Sequence, residues 1–184
     1  MTETNLRGRF PVRQKEAFSL TKRARQYIGI LAAVAVYYIV HEGAHLAAAL
    51  AFGAFRQLRF LGIGMQVDVY AERLSDVQMG VLNLAGAVST LAAAWLLVAL
   101  RRRICRVKSP VFRASAYYVT LAMLLLDPLY LSLLCGLFGG GDMNGISLLL
   151  PEALARVLFG AVGVGNALAF WRLVLPEYTR SFRD

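Results

Sequence analysis

Both histidines of the chain fall within one pentapeptide, His41-Glu42-Gly43-Ala44-His45. A helix through it stacks the two imidazoles on one face, because positions i and i+4 lie one turn apart. Two imidazoles so placed can grip one metal ion, and Glu42 can reach a water bound to that ion. The chemistry expected is hydrolysis of a peptide bond. A divalent cation acidifies a water and polarises the carbonyl, while Glu42 serves as general base and passes the proton to the leaving amine.

A catalytic zinc usually takes three protein ligands and keeps a fourth position open. No further histidine exists in the chain, so the third ligand is expected to be a carboxylate, with a thiolate less suitable. Asp142 is the first choice. It lies in Gly139-Gly140-Gly141-Asp142-Met143-Asn144-Gly145, where four glycines in seven residues disfavour helix and let the backbone fold closely back. Asp127 is the second choice and Glu152 the third. Zn²⁺ with two neutral imidazoles, one aspartate and one hydroxide carries no net charge, which suits a medium of low dielectric.

The elements that must position these groups are apolar. Tyr27–Phe52, Val77–Leu100, Val111–Gly136 and a segment from about Glu152 to Leu175 each suffice for a bilayer needing ~20 residues of helix. With 58% hydrophobic residues among 184 and a positive mean hydropathy, the chain reads as an all-α membrane protein. About four transmembrane helices are expected, with a short β-strand or hairpin between the first and second. A charged group at the bilayer centre costs ~2.5–3.5 kcal/mol, so three ionisable residues within five argue for a shared ligand. The first apolar run, of about 26 residues, exceeds the ~7–15 of a signal-peptide core and is expected to be a retained span.

Twenty basic residues face eleven acidic ones. They concentrate in the tails and one connection, which argues against a nucleic-acid partner. Arg101, Arg102, Arg103, Arg106 and Lys108 fill the second connection, and Arg180 and Arg183 lie in the C-terminal tail. The first connection balances Arg56, Arg59 and Arg73 against Asp68, Glu72 and Asp76, and the third holds only Asp142. The positive-inside rule then makes both termini cytoplasmic. It divides the chain into a basic tail 1–26, a single membrane-embedded core 27–175 and a tail 176–184. Cys105 and Cys135 fall at opposite faces on this topology, so no disulfide is expected.

Apolar residues alternate from Leu61 to Tyr70, the period of a strand, within a hairpin starting near Leu58. This element either caps the membrane surface or offers an edge to an extended peptide. The small residues from Leu84 to Thr90 suit close helix packing, and Asn83 or Thr90 is a further candidate to hold substrate backbone. Asp127-Pro128 predicts a kink, freed carbonyls and a buried acid in need of a partner. Gly160, Gly163 and Gly165 predict a tight helix contact, with Trp171 and Arg172 as interface anchors.

Taken together these residues resemble the site-2 protease family of intramembrane zinc metalloproteases. His41-Glu42-x-x-His45 matches the family's HExxH in a membrane helix, and Leu61–Tyr70 sits where its β segment lies. Ala85-Gly86 matches part of an Ala-Gly-Pro-x-x-Asn-like stretch, with Ala87 in place of the proline and Thr90 in place of the asparagine. Asp142 matches the ligand aspartate, although Met143-Asn144-Gly145 replaces the glycine that usually follows it. Residues 27–150 carry the resemblance. It implies a membrane-spanning or membrane-associated protein substrate cut in or near the bilayer, with zinc held by His41, His45 and Asp142. Two other classes fit the same residues: a transporter or metal-handling protein using His41 and His45 for ion passage, and a non-catalytic membrane protein. The sequence leaves oligomeric state open.

Overall fold

The computed structural model describes residues 20–61, 64–137 and 139–183. Among them, four helices are long and apolar enough to cross a membrane. The first is α1 (Lys22–Ala51), followed by the antiparallel pair β1 (Phe55–Leu61) and β2 (Gly64–Val69). Next come α2 (Asp76–Cys105) and α3 (Pro110–Leu129), the latter continuing as a π turn and a 3₁₀ turn to Leu137. The short helix α4 (Asp142–Ile146) precedes α5 (Glu152–Ala169), which runs through another π turn into α6 (Leu175–Ser181). The chain is therefore a helical membrane protein with one hairpin between its first two spans.

Local signals set the ends of these elements. Thr21 caps α1 by accepting from Ala24 N–H. Ser75 and Gln78 form a reciprocal capping box that starts α2. Ser109 caps α3 just ahead of Pro110, whose missing N–H costs nothing in a first turn. Gly53, at φ +66°, stops α1 in a left-handed turn. Ala54 N–H donates to Ala49 O at 2.9 Å and Gly53 N–H to Leu50 O at 3.1 Å, which satisfies carbonyls the helix end leaves open. The chain then enters β1, and Tyr70 N–H closes the base of the hairpin on Ala54 O at 2.8 Å.

Helices α1, α2 and α3 pack against one another, α5 packs on the outside of α3, and α4 folds back onto α2. Small buried residues such as Ala33, Ala94 and Ala116 permit the close approach. Leu31, Val157 and Val164 are each more than 60% exposed. So much apolar surface would be a liability in water and is ordinary against hydrocarbon. The starts of α1 and α3 and the end of α6 meet at one face of the bundle, where they line a common cavity. The hairpin and α4 lie at the opposite end. Cys105 ends α2 and Cys135 follows α3, and both are free thiols, as expected.

Several boundaries differ from those read in the sequence. The first span begins at Lys22 rather than Tyr27, so only residues 20–21 of the expected tail 1–26 are both described and non-helical; residues 1–19 lie outside the described part. Helix continues to Ser181, beyond the expected core end at 175. The hairpin starts at Phe55, not Leu58, and a register irregularity between Phe55 and Gln57 breaks the alternation that would mark its first strand. The glycine run is only partly irregular. Gly139, Gly140 and Gly141 take φ of +76°, +86° and +49°, and helix resumes at once from Asp142. Met143 and Ile146, one turn apart, bury their side chains with Ala87 and Leu131, which compensates for Gly145 inside α4.

Pro128 does not end its helix. It lacks an N–H, which would leave Leu124 O without its partner four residues on. Asn166 of α5 fills the gap, its Nδ2 donating to Leu124 O at 2.8 Å, and the side chain is buried. Just beyond, the π turn Tyr130–Leu134 absorbs the remaining irregularity, and Ser132 Oγ donates to Pro128 O at 2.5 Å. Asn166→Ala is expected to lower stability by about 1–2 kcal/mol, because a carbonyl is left unsatisfied in an apolar interior. Unfolding in mixed micelles, with exposed Leu168→Ala as reference, measures this. Equal losses for the two variants would remove the special role of Asn166.

Candidate metal centre

Helix α1 is one continuous rod through the pentapeptide, so His41 and His45 do share a face, and both are buried. Their rings lie with centroids 4.8 Å apart, nearly perpendicular. The site sits about 15 Å along the helix from Ala51, ten residues at 1.5 Å each. Each ring is steered from behind. His45 Nδ1 is 2.8 Å from Leu82 O of α2. A carbonyl only accepts, so Nδ1 carries the proton and Nε2 presents its lone pair. His41 Nδ1 is 3.3 Å from Asp127 Oδ1, an ion-pair separation, and makes no hydrogen bond among the described residues. The Tyr37 ring stacks on His41 at 5.3 Å and 21°.

Asp142 arrives from α4. Its Oδ2 is 3.1 Å from His41 Nε2 and 3.5 Å from His45 Nε2, and the two Nε2 atoms are 3.1 Å apart. With both rings protonated at Nδ1, three acceptors converge and no proton lies between them. Such a convergence could hold a metal ion. Ligands at ~2.0–2.1 Å around a tetrahedral zinc are about 3.3 Å from one another, and the three edges observed straddle that value. Burial pushes the Asp142 carboxyl up, but its contacts with His41 and His45 outweigh this and hold it below the usual carboxylate range.

Asp127 and Asp142 have the same ligand type, and their surroundings distinguish them. Asp127 is 1% exposed and faces the Nδ1 side of His41, not the Nε2 side. Tyr37 OH donates to its Oδ1 at 2.5 Å and Thr90 OH donates to its Oδ2. Its oxygens are thus engaged away from the convergence point, and among the three carboxylates weighed in the sequence Asp142 alone joins the histidines. Glu152 is exposed and pairs with Arg156 at 2.7 Å. Thr90, read above as a candidate for holding substrate backbone, is buried behind Asp127 instead.

Gly86 has a role its neighbours in sequence did not reveal. A Cβ on it would stand 2.5 Å from His45 Nε2, 2.7 Å from His41 Cε1 and 2.8 Å from His41 Nε2. Glycine at this point leaves the imidazole edges their space. Gly145 likewise lets α4 lie against Asn83 of α2, which seats the helix that bears Asp142. A cavity of about 400 Å³ joins the histidines, Glu42 and Asp142 to Gln66 and Val67 of β2 and to Asn83. Glu42 is half-buried in its wall. Asn83 Nδ2 donates to Met79 O at 2.8 Å, and its carbonyl oxygen makes no hydrogen bond among the described residues.

Comparison with models of protein families, with curated proteins and with solved structures finds no match for this chain. What the fold and site define is a class: a four-span helical membrane protein in which two buried histidines and a partly exposed aspartate form a cluster that could hold a metal ion.

Proposed function

We propose that the chain is an intramembrane zinc metalloprotease, resembling the site-2 protease family, that cuts membrane-spanning or membrane-associated polypeptides. The observation that carries this reading is the convergence of His41 Nε2, His45 Nε2 and Asp142 Oδ2 on one point, beside Glu42, inside an apolar bundle. Zinc bound there supplies a Lewis acid that polarises a carbonyl and brings the pKa of its water to ~7. His41, His45 and Asp142 would hold it, and the backbone of Leu82 and the carboxylate of Asp127 would keep the rings in the ligating tautomer. Glu42 takes a proton from the attacking water and delivers it to the departing amine.

A helical substrate hides its amides in its own hydrogen bonds, so a segment must be unwound before it is cut. Among the described residues β2 pairs only with β1, which leaves it one edge without a strand partner, and its residues border the cavity. That edge suits an extended peptide held by backbone hydrogen bonds.

The test combines metal analysis of purified protein with a cleavage assay on a single-span reporter in proteoliposomes. About one zinc per chain and cleavage stopped by a chelator are expected. Zinc or proton flux without cleavage would replace the protease by ion passage. Within this reading Asp127→Asn keeps shape and volume but weakens control of the His41 tautomer. Its zinc affinity is expected to fall about 10- to 100-fold, read by competition with a chromogenic chelator. An unchanged affinity would show that Asp127 serves packing alone.

A further inference from the structure

At the face opposite the histidines lies a second cavity, of about 480 Å³. Lys22 and Arg25 from the start of α1, Arg113 from the start of α3 and Arg183 beyond α6 line it, and among the described residues no acidic one does. None of these four cations forms an ion pair among the described residues, and Arg113 Nε is buried without a hydrogen-bond partner. Tyr117 and Tyr118 form an aromatic wall, with Tyr117 in contact with Tyr178 and Phe182 of the last helix. Four like charges around one recess repel each other unless an anion joins them. Three of the four are guanidinium groups, whose planar forks match phosphate oxygens in pairs. The recess sits where spans begin and end, so a ligand there can place a polar group among the cations and apolar chains against the outer helix surfaces.

We propose that this cavity binds the phosphate of an anionic membrane lipid and so ties the start of α1 to the end of α6. The volume lies within the range of small-molecule sites, ~300–1,000 Å³, and basic pockets between spans are a known way to hold such headgroups. The cavity is about 24 Å along α1 from His41, sixteen residues at 1.5 Å. Its occupancy can therefore be measured whether or not the protein cleaves anything.

The experiment uses the full chain, delipidated in a neutral detergent, with native mass spectrometry and thermal unfolding as readouts. The probes are phosphatidylglycerol, phosphatidylcholine with the same acyl chains, and inorganic phosphate. Phosphatidylglycerol is expected to bind at one per chain and raise the melting temperature, while the other two do neither. Arg25→Gln/Arg113→Gln is expected to weaken that binding about 30-fold, taking a factor of about five for each cation lost near a lipid surface. Arg25→Gln/Arg183→Gln gives a second reading should the first variant fail to fold. Arg102→Gln/Arg106→Gln removes the same charge from the nearby connection and is expected to leave binding unchanged. Equal loss in that control would overturn the site in favour of general surface attraction. Equal binding of inorganic phosphate would overturn the lipid as occupant.

Discussion

Glu42→Gln is expected to retain about one zinc per chain and to cut reporter cleavage about 10²- to 10⁴-fold, the usual contribution of a general base. The substitution changes one oxygen to a nitrogen and nothing in volume, and Glu42 is not among the three groups that converge. Its carboxylate lines the same cavity as they do, so the loss should fall on turnover and spare metal content. Single-turnover cleavage beside zinc quantitation separates the two. Cleavage equal to that of the native chain would falsify Glu42 as the base, and loss of zinc along with activity would make it a ligand.

Gly86→Ala is the second large effect. Alanine is favoured over glycine in a helix interior by ~0.8–1.0 kcal/mol, so helix propensity by itself would stabilise α2. The added methyl, however, meets both imidazoles at 2.5–2.8 Å, closer than side-chain carbons approach such atoms. Both rings must turn away, and neither can do so without leaving Leu82 O or Asp127. Zinc affinity is expected to fall by at least about 100-fold, the upper end of what misoriented ligands cost. The melting temperature of the metal-free protein is expected to stay near that of the native chain. Titration with zinc and unfolding in the presence of chelator give the two numbers. Undiminished zinc affinity would mean the rings have room that the structure denies them.

The parts legible in the sequence share a property: each is written within one element or in bulk composition. The four apolar runs announce the spans, and the spacing of His41 and His45 places them on one face as soon as α1 is helical. The glycines before Asp142 gave a reason for the chain to double back, and the structure puts that carboxylate beside the rings. The roles of Gly86, Tyr37, Thr90 and Asp127 depend on which helix faces which, and no local pattern carries that. Asp127 and Asp142 are chemically the same ligand; only the approach to Nδ1 or Nε2 of His41 tells them apart. Some misses were avoidable. Ser75-x-x-Gln78 is a capping signal open to a reader of the sequence, and it places the start of the second span at Asp76. The first strand was harder, because its irregular register at Phe55 and Gln57 erases the period of two.

The turn that delivers Asp142 sets an unusual filter on what may stand at position 139. A methyl group there would touch nothing within 4 Å, yet the backbone is at φ +76°. What the position rejects is therefore handedness and not bulk. A D-alanine introduced by semisynthesis would sit there at ease, where its L-enantiomer would strain the hinge that carries the aspartate. Among the genetically encoded residues asparagine and aspartate are the nearest substitutes, being the side-chain-bearing types that most often take positive φ.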